Sequence, residues 1–438
     1  MTKYFCAALL LGLSLAGEAR SSEFVVEVTR GQTEAIPIAI IPFAAADVTA
    51  ATFDVAQLVS DDLARSGRFN TMERKDMIDT PHTGAGISFD DWRRLNNDYM
   101  VVGQMTPQGA DRFNITFEIY NVLTRQRLLG YQISANRPGL RLAGHQVADM
   151  IFEKILGIRG AFATRIAYIS VSGHLPNKTY ELIVADADGE NPHVITQSRE
   201  PLMSPTWSPD GASLGYVSFE SRLSTVFVQN LRTGERRKVS SHAGVNQAPA
   251  WSPDGKKLAM TLSTRDGNLD VYILDLTLPA DSPGALTRIT DDPGIDTEPQ
   301  WSKDGQSLYF TSDRAGGPQI YKVGVHPGDK PRRLTFQGGY NARPRLSPDE
   351  SQMAFVTQED GAYRIATMDL RNGRGDTQVL TKGRFDVSPA YAPNGAVIIY
   401  ATRDKGRGVL ALVSADGRVQ QRLVAGETEL QEPAWAPF

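Results

Sequence analysis

The sequence predicts an α/β domain with a mixed sheet, followed by an all-β six-bladed propeller closed by the C-terminal strand. Three observations carry this. A phrase of the form Pro-x-aromatic-Ser-Pro-Asp-Gly occurs six times, its leading prolines (205, 249, 299, 344, 389 and 433) stepping by 44, 50, 45, 45 and 44 residues, a period typical of propeller blades. The stretch before the first phrase alternates apolar strand patterns with helical ones. The array also ends unevenly at both sides, which fixes how it closes.

Each phrase reads as the end of a strand followed by a tight turn. In Pro209-Asp210-Gly211 the proline presets φ, the aspartate bonds the backbone two residues on, and the glycine takes the left-handed position. Asn394 keeps this chemistry in the fifth copy, whereas Glu350 stands where the fourth copy needs glycine and should strain or reshape its turn. A short β-branched and aromatic run follows each turn (214–218, 258–262, 308–312, 353–357, 397–401), then a third strand, a turn and a short fourth strand. An unpartnered second strand, Arg165 to Ser170, precedes the first phrase, and an unpartnered phrase from Pro433 to Phe438 follows the last full repeat. The two ends therefore build one blade, leaving no open sheet edge in the ring.

The same connectivity sorts the loops. Residues before each leading proline gather at one mouth of the channel, Arg343, Asp386 and Glu432 among them, together with the loops holding Arg222, Arg265, Arg314 and Arg403. The Ser-Pro-Asp-Gly turns take the other face.

Residues 1–22 read as a signal peptide: Lys3, an apolar stretch from Cys6 to Gly17, and small residues near Ser22. Cys6, the only cysteine, falls within it, so the processed chain is expected to have no thiol and no disulfide. Processing moves the formal charge from −4 to −5, a poor balance for gripping nucleic-acid phosphates.

Residues 23–160 form the α/β domain. Phe24 to Val28 and Ile36 to Pro42 read as strands, Phe53 to Ser66 as a helix stopped by Gly67, and Tyr99 to Met105 as a strand. Arg112 to Val122 and Arg127 to Ala135 form a hairpin, and Leu140 to Leu156 the strongest helix. The propeller takes residues 161–438. The polar stretch after Ser22 reads as a frayed terminus.

No catalytic set stands out. Gly-x-Ser-x-Gly is absent. The histidines (82, 145, 174, 193, 242, 326) show no metal-ligand spacing and read as surface or capping residues. The repeated aspartate is explained by its turn. Asp296, Glu298, Asp386 and Glu432, all near the mouth, are the one set that would hold a divalent cation such as calcium, or serve a secreted hydrolase or lactonase, if they converge.

The α/β domain, the Trp-Ser-Pro-Asp-Gly propeller and the signal segment together resemble the TolB family of the Gram-negative Tol–Pal system. The stretches Ile38-Ala39-Ile40-Ile41-Pro42-Phe43, Thr297-Glu298-Pro299 and Pro433-Ala434-Trp435 carry the likeness. The resemblance implies a periplasmic protein without catalytic activity or cofactor, supporting outer-membrane integrity and division. It implies that the lipoprotein Pal docks at the channel mouth on Val245, Asn246, Ala248, Thr297 and Glu298. It also implies that TolA binds the mature N-terminus, here Glu23, Phe24, Val25, Val26 and Glu27, and that Pal occupancy controls whether this segment is free. Outer-membrane lipoproteins, porins and colicins extend the implied partners, while nucleic acid and membrane insertion do not belong among them. The N-terminal domain is similar in fold to anticodon-binding domains, a likeness of fold and not of function.

Overall fold

The computed structural model describes residues 26–28, 35–45, 53–174, 176–263, 267–279, 282–371, 375–423 and 428–438. Residues 1–22, expected to be a signal peptide, and Glu23, Phe24, Val25 and Arg265 lie outside the described residues.

The α/β domain has a mixed sheet in the order Phe69–Thr71, Ile36–Ile40, Tyr99–Pro107, Arg112–Asn121, Gln126–Asn136. The first two pairings are parallel and the last two antiparallel. Helices α1 (Val55–Arg65) and α3 (Leu140–Leu156) cover one face. Their apolar stripes (Val55, Val59, Leu63; Val147, Ile151) meet Ile38, Ile40, Ile115 and Phe117 in one core. The short helix α2 (Phe89–Arg94) brings Trp92 against the other face, with Ile41 and Met100. Asp54 caps α1 through its carboxylate, and Gly157 ends α3 in the left-handed conformation.

Six four-stranded sheets follow. Glu429–Trp435 pairs antiparallel with Arg165–Ser172, so the two ends of the array share the first blade, as the count of phrases requires. The turns behave as the sequence suggests. Ser208 Oγ bonds Asp210 at 2.5 Å, Asp210 accepts from the Ala212 amide at 3.0 Å, and Gly211 sits at φ +65°. The serine hydroxyls hold the carboxyls of Asp210, Asp254, Asp304 and Asp349 below their ordinary pKa. Glu350 takes φ +56° and its amide still bonds the Ser347 carbonyl, so this turn keeps its shape without glycine. The phrase tryptophans tie neighbouring blades: Trp207 Nε1 donates to the Ala434 carbonyl and Trp301 Nε1 to that of Ala250.

Two features depart from the sequence reading. Val26–Val28 is a strand, but it joins the propeller rather than the α/β sheet or a frayed end. It adds a fifth strand to the last blade, antiparallel to Val419–Leu423, with Val28 opposite Val419. Gly67 of the α/β domain packs against the same Val419: a Cβ on Gly67 would lie 2.3 Å from its Cγ2.

His145 corrects the surface assignment. It is buried in α3, its Nδ1 2.6 Å from Asp62 Oδ2 of α1. Asp62 also pairs with Arg65 at 2.8 Å. From the first blade, Asp186 pairs with Arg141 of α3 at 2.8 Å, and Asp188 with both Arg141 and, at 3.8 Å, Arg65. His145 Nε2 has no hydrogen-bond partner and points at Asp186 and Asp188, 3.9 Å from each. This cluster clasps the two domains. Burial pulls the His145 pKa down, but the Asp62 bond and the Asp62 and Asp188 charges outweigh it and raise the pKa above its ordinary value.

Candidate functional site: the channel mouth

One backbone device recurs in every blade at the mouth. The residue before each leading proline is left-handed: Ser204, Ala248, Glu298, Arg343, Ser388 and Glu432 have φ between +49° and +58°. Each sits in a break of register between the first and second strands of its blade. None is glycine, so each carries backbone strain of about 1–3 kcal/mol. The bulge turns all six side chains into the channel, whose cavity is about 540 Å³.

Three of the six form one ion bridge. Arg343 Nε meets Glu298 Oε1 at 2.6 Å, its Nη2 lies 3.6 Å from Glu432 Oε1, and its Nη1 bonds Ser388. Glu298 further accepts from the Arg343 amide at 3.0 Å and from Thr311 Oγ1 at 3.1 Å, and Glu432 from the Ser204 amide. The fifth, fourth and first blades are thereby tied across the channel.

Two residues earlier than this ring, the side chains turn inward to brace the loops. Asn246 is buried and spends its amide on the Ser240 hydroxyl and on the His242 amide and carbonyl. Asp296 is buried against Arg314 at 2.7 Å. Asp386 is buried and accepts from Thr402 Oγ1 at 2.5 Å and the Gly383 amide at 2.9 Å. Asn246 and Asp386, expected among the mouth residues a partner would touch, thus have their side chains inside the blades. The four acids do not form one cation cage: Asp296 and Asp386 are separately engaged, and Glu298 and Glu432 share Arg343. Among the described residues, the only His/Cys/Asp/Glu group with metal-like spacing is Asp62, His145 and Asp188, where Arg65 and Arg141 already supply cations.

Val245, Ala248 and Thr297 stay half-buried at the mouth, with Thr297 Oγ1 3.2 Å from that of Thr261. Around them stand large apolar side chains that the sequence reading did not single out: Leu223, Ile295, Phe336 and Phe385, Phe336 being 70% exposed. Tyr340, Tyr363 and Phe385 pack edge to face, and Arg403 caps Phe385 at 4.7 Å. They line a second hollow of about 400 Å³ that reaches Arg343 and Glu432. The apolar rim, aromatic wall and charged centre have the composition of a protein-docking surface. A signal existed: Ile295, Phe336 and Phe385 all lie in loops that the topology sends to this face.

The model of the TolB beta propeller domain matches residues 152–438, and that of the TolB amino-terminal domain residues 24–128. The chain belongs to the TolB family. A Tol-Pal system TolB of Nitrosococcus oceani is 47% identical over 224 residues, 51% of each chain. That of Xanthomonas oryzae pv. oryzae is 43% identical over 248 residues, 56% of each. The chain therefore aligns with about half the length of these curated TolB relatives. The crystal structure of TolB from Acinetobacter baumannii superposes with a TM-score of 0.85 at 38% identity, covering 95% of this chain and all of that one. The two curated relatives are named as Tol-Pal system proteins, and among the described residues no helix is long and apolar enough to span a membrane.

Proposed function

We propose that this chain is a non-catalytic, periplasmic protein-binding component of the Tol–Pal system. It docks the Pal lipoprotein on the channel mouth and TolA through its N-terminal segment, and so supports outer-membrane integrity and division. The observation that carries the reading is the mouth: six strained left-handed residues around an ion-bridged centre, ringed by exposed Leu223, Ile295, Phe336 and Phe385. Strain of this kind persists where a site needs fixed side chains, and a rim of this composition suits a stable contact of about 800 Å² per partner.

Val245, Ala248, Thr297, Glu298, Arg343 and Glu432 supply contacts through side chains, whereas Asn246 and Asp386 hold the loops in shape. The TolA-binding segment includes Val26 and Glu27, stored as the fifth strand of the last blade. Val419 touches both this strand and Gly67, so a shift between the domains reaches the stored segment directly. The reading calls for no cofactor.

The test is calorimetric titration with the soluble domain of the cognate Pal, using wild type and Thr297→Arg. Tight wild-type binding that the substitution abolishes, with unchanged melting, supports the reading. A wild type that does not bind overturns it.

A further inference from the structure

One step past the mouth ring, the channel contains an arginine without a carboxylate. The first strand of each blade runs from the mouth toward the turns, so the residue after each leading proline forms the next layer: Thr206, Ala250, Gln300, Arg345, Ala390 and Ala434, all facing the cavity. Three alanines leave this layer nearly empty of side chain. Arg345 is its only charged member.

The contrast with Arg343 is chemical. Arg343 has each of its side-chain nitrogens engaged by Glu298, Ser388 or Glu432. Arg345 has one hydrogen bond, from Nη1 to the neighbouring Pro344 carbonyl at 2.8 Å, and no carboxylate within ion-pair distance among the described residues. Enclosure holds its guanidinium pKa below the ordinary arginine value, although Glu298 and Glu432 pull the other way. Arg345 is half-buried on the channel wall, so its guanidinium is only partly hydrated and an incoming anion can replace that water with a charge-assisted bond.

We infer that the propeller channel binds a small free carboxylate, held by the guanidinium fork of Arg345. A guanidinium presents parallel N–H donors that match the two oxygens of a carboxylate. The cavity volume lies in the range of small-molecule sites. The Glu298–Arg343–Glu432 bridge crosses the mouth side, which favours a compact solute over an inserted polypeptide. The inference does not depend on which protein covers the mouth, and its test uses the uncovered protein, so a failure of docking leaves it standing.

The probe is succinate, with neutral succinamide as its control. It is titrated into the full processed chain at constant ionic strength, following the arginine Nε–H signals by NMR alongside calorimetry. Wild type should show a saturable shift of the Arg345 signal with succinate and none with succinamide. Arg345→Gln, melting as wild type does, should bind about tenfold more weakly or worse, and Arg345→Lys should recover part of the affinity. Absence of saturable binding up to about 20 mM succinate, unchanged affinity in Arg345→Gln, or equal binding of succinamide overturns the inference. If Arg345→Gln does not fold, the lysine variant and the succinamide comparison decide.

Discussion

Replacing Asp188 with alanine should uncouple the two domains, and the structure indicates by how much. Asp188 is a buried first-blade carboxylate that meets Arg141, with Arg65 and His145 Nε2 at 3.8 and 3.9 Å. Breaking a buried ion pair from one side costs about 3–5 kcal/mol. Arg141 is partly solvated and keeps Asp186 at 2.8 Å, which puts the loss near the low end, about 3 kcal/mol. The sign of the charge adds a second feature. Asp62, Asp186 and Asp188 face Arg65 and Arg141, so the clasp is neutral only with His145 protonated. Without Asp188 it is positive when His145 is charged and neutral when it is not. The loss should therefore be largest near pH 6 and smaller near pH 8. Urea unfolding followed at the helical circular dichroism band, which reports the α/β domain, measures both. A loss below about 0.5 kcal/mol near pH 6, the level of an ordinary surface change, or one equal at the two pH values, would refute the reasoning.

Further outcomes are expected. In the wild type, the His145 contribution is complete below the ordinary histidine pKa and fades as pH rises through the raised folded value; burial pushes Asp149 up to about 6, which also lowers stability as pH rises from the ordinary carboxyl range toward that value. Thermal melting across this range, with His145→Gln as reference, should show the histidine part vanish. Gly67→Ala places a Cβ against Val419 at φ +67°, costing about 1–3 kcal/mol; hydrogen exchange should show the Val26–Val28 amides opening faster. Trp301→Phe loses the bond to the Ala250 carbonyl and should cost about 1 kcal/mol beyond its packing. Trp251→Phe should cost less, because Trp251 Nε1 has no partner; equal melting losses would contradict this.

The repeat made the propeller legible, because Pro-Asp-Gly turns and β-branched runs are local signals that need no knowledge of neighbours. Closure by the C-terminal strand followed from the unmatched ends alone, and the face of each loop followed from strand direction. The left-handed mouth residues were not legible. Residues before proline normally avoid such geometry, and Ser, Ala, Glu, Arg, Ser and Glu share no chemistry that announces it. The inward turn of Asn246 and Asp386 was hidden for a related reason: an Asx residue beside a loop reads equally as brace or contact. The clasp left a faint trace, since His145 sits in the stripe of Ala143, Val147 and Ala148, and Asp62 beside Leu63 on the buried side of α1. Its partners lie on separate elements far along the chain, 83 positions between His145 and Asp62 and 45 between Arg141 and Asp186. A three-residue strand such as Val26–Val28 is too short for periodicity to say which sheet receives it.

The shared first blade also bears on how the chain folds. Trp435 pairs with Ile166 and Glu429 with Val171, residues roughly 260 positions apart. Pairings of such sequence separation form slowly, since the loop entropy is lost before the contact is gained. The blade that offers Asp186 and Asp188 to the α/β domain is thus the last to be finished. Until the final strand seats, its inner edge stays open to pairing with another chain, and the interdomain clasp rests on an incomplete sheet. Loss of the last ten residues would therefore strip the first blade of its inner strand and also take away the Glu432 contact to Arg343 and the carbonyl that Trp207 bonds in the second blade, leaving an open edge prone to aggregation.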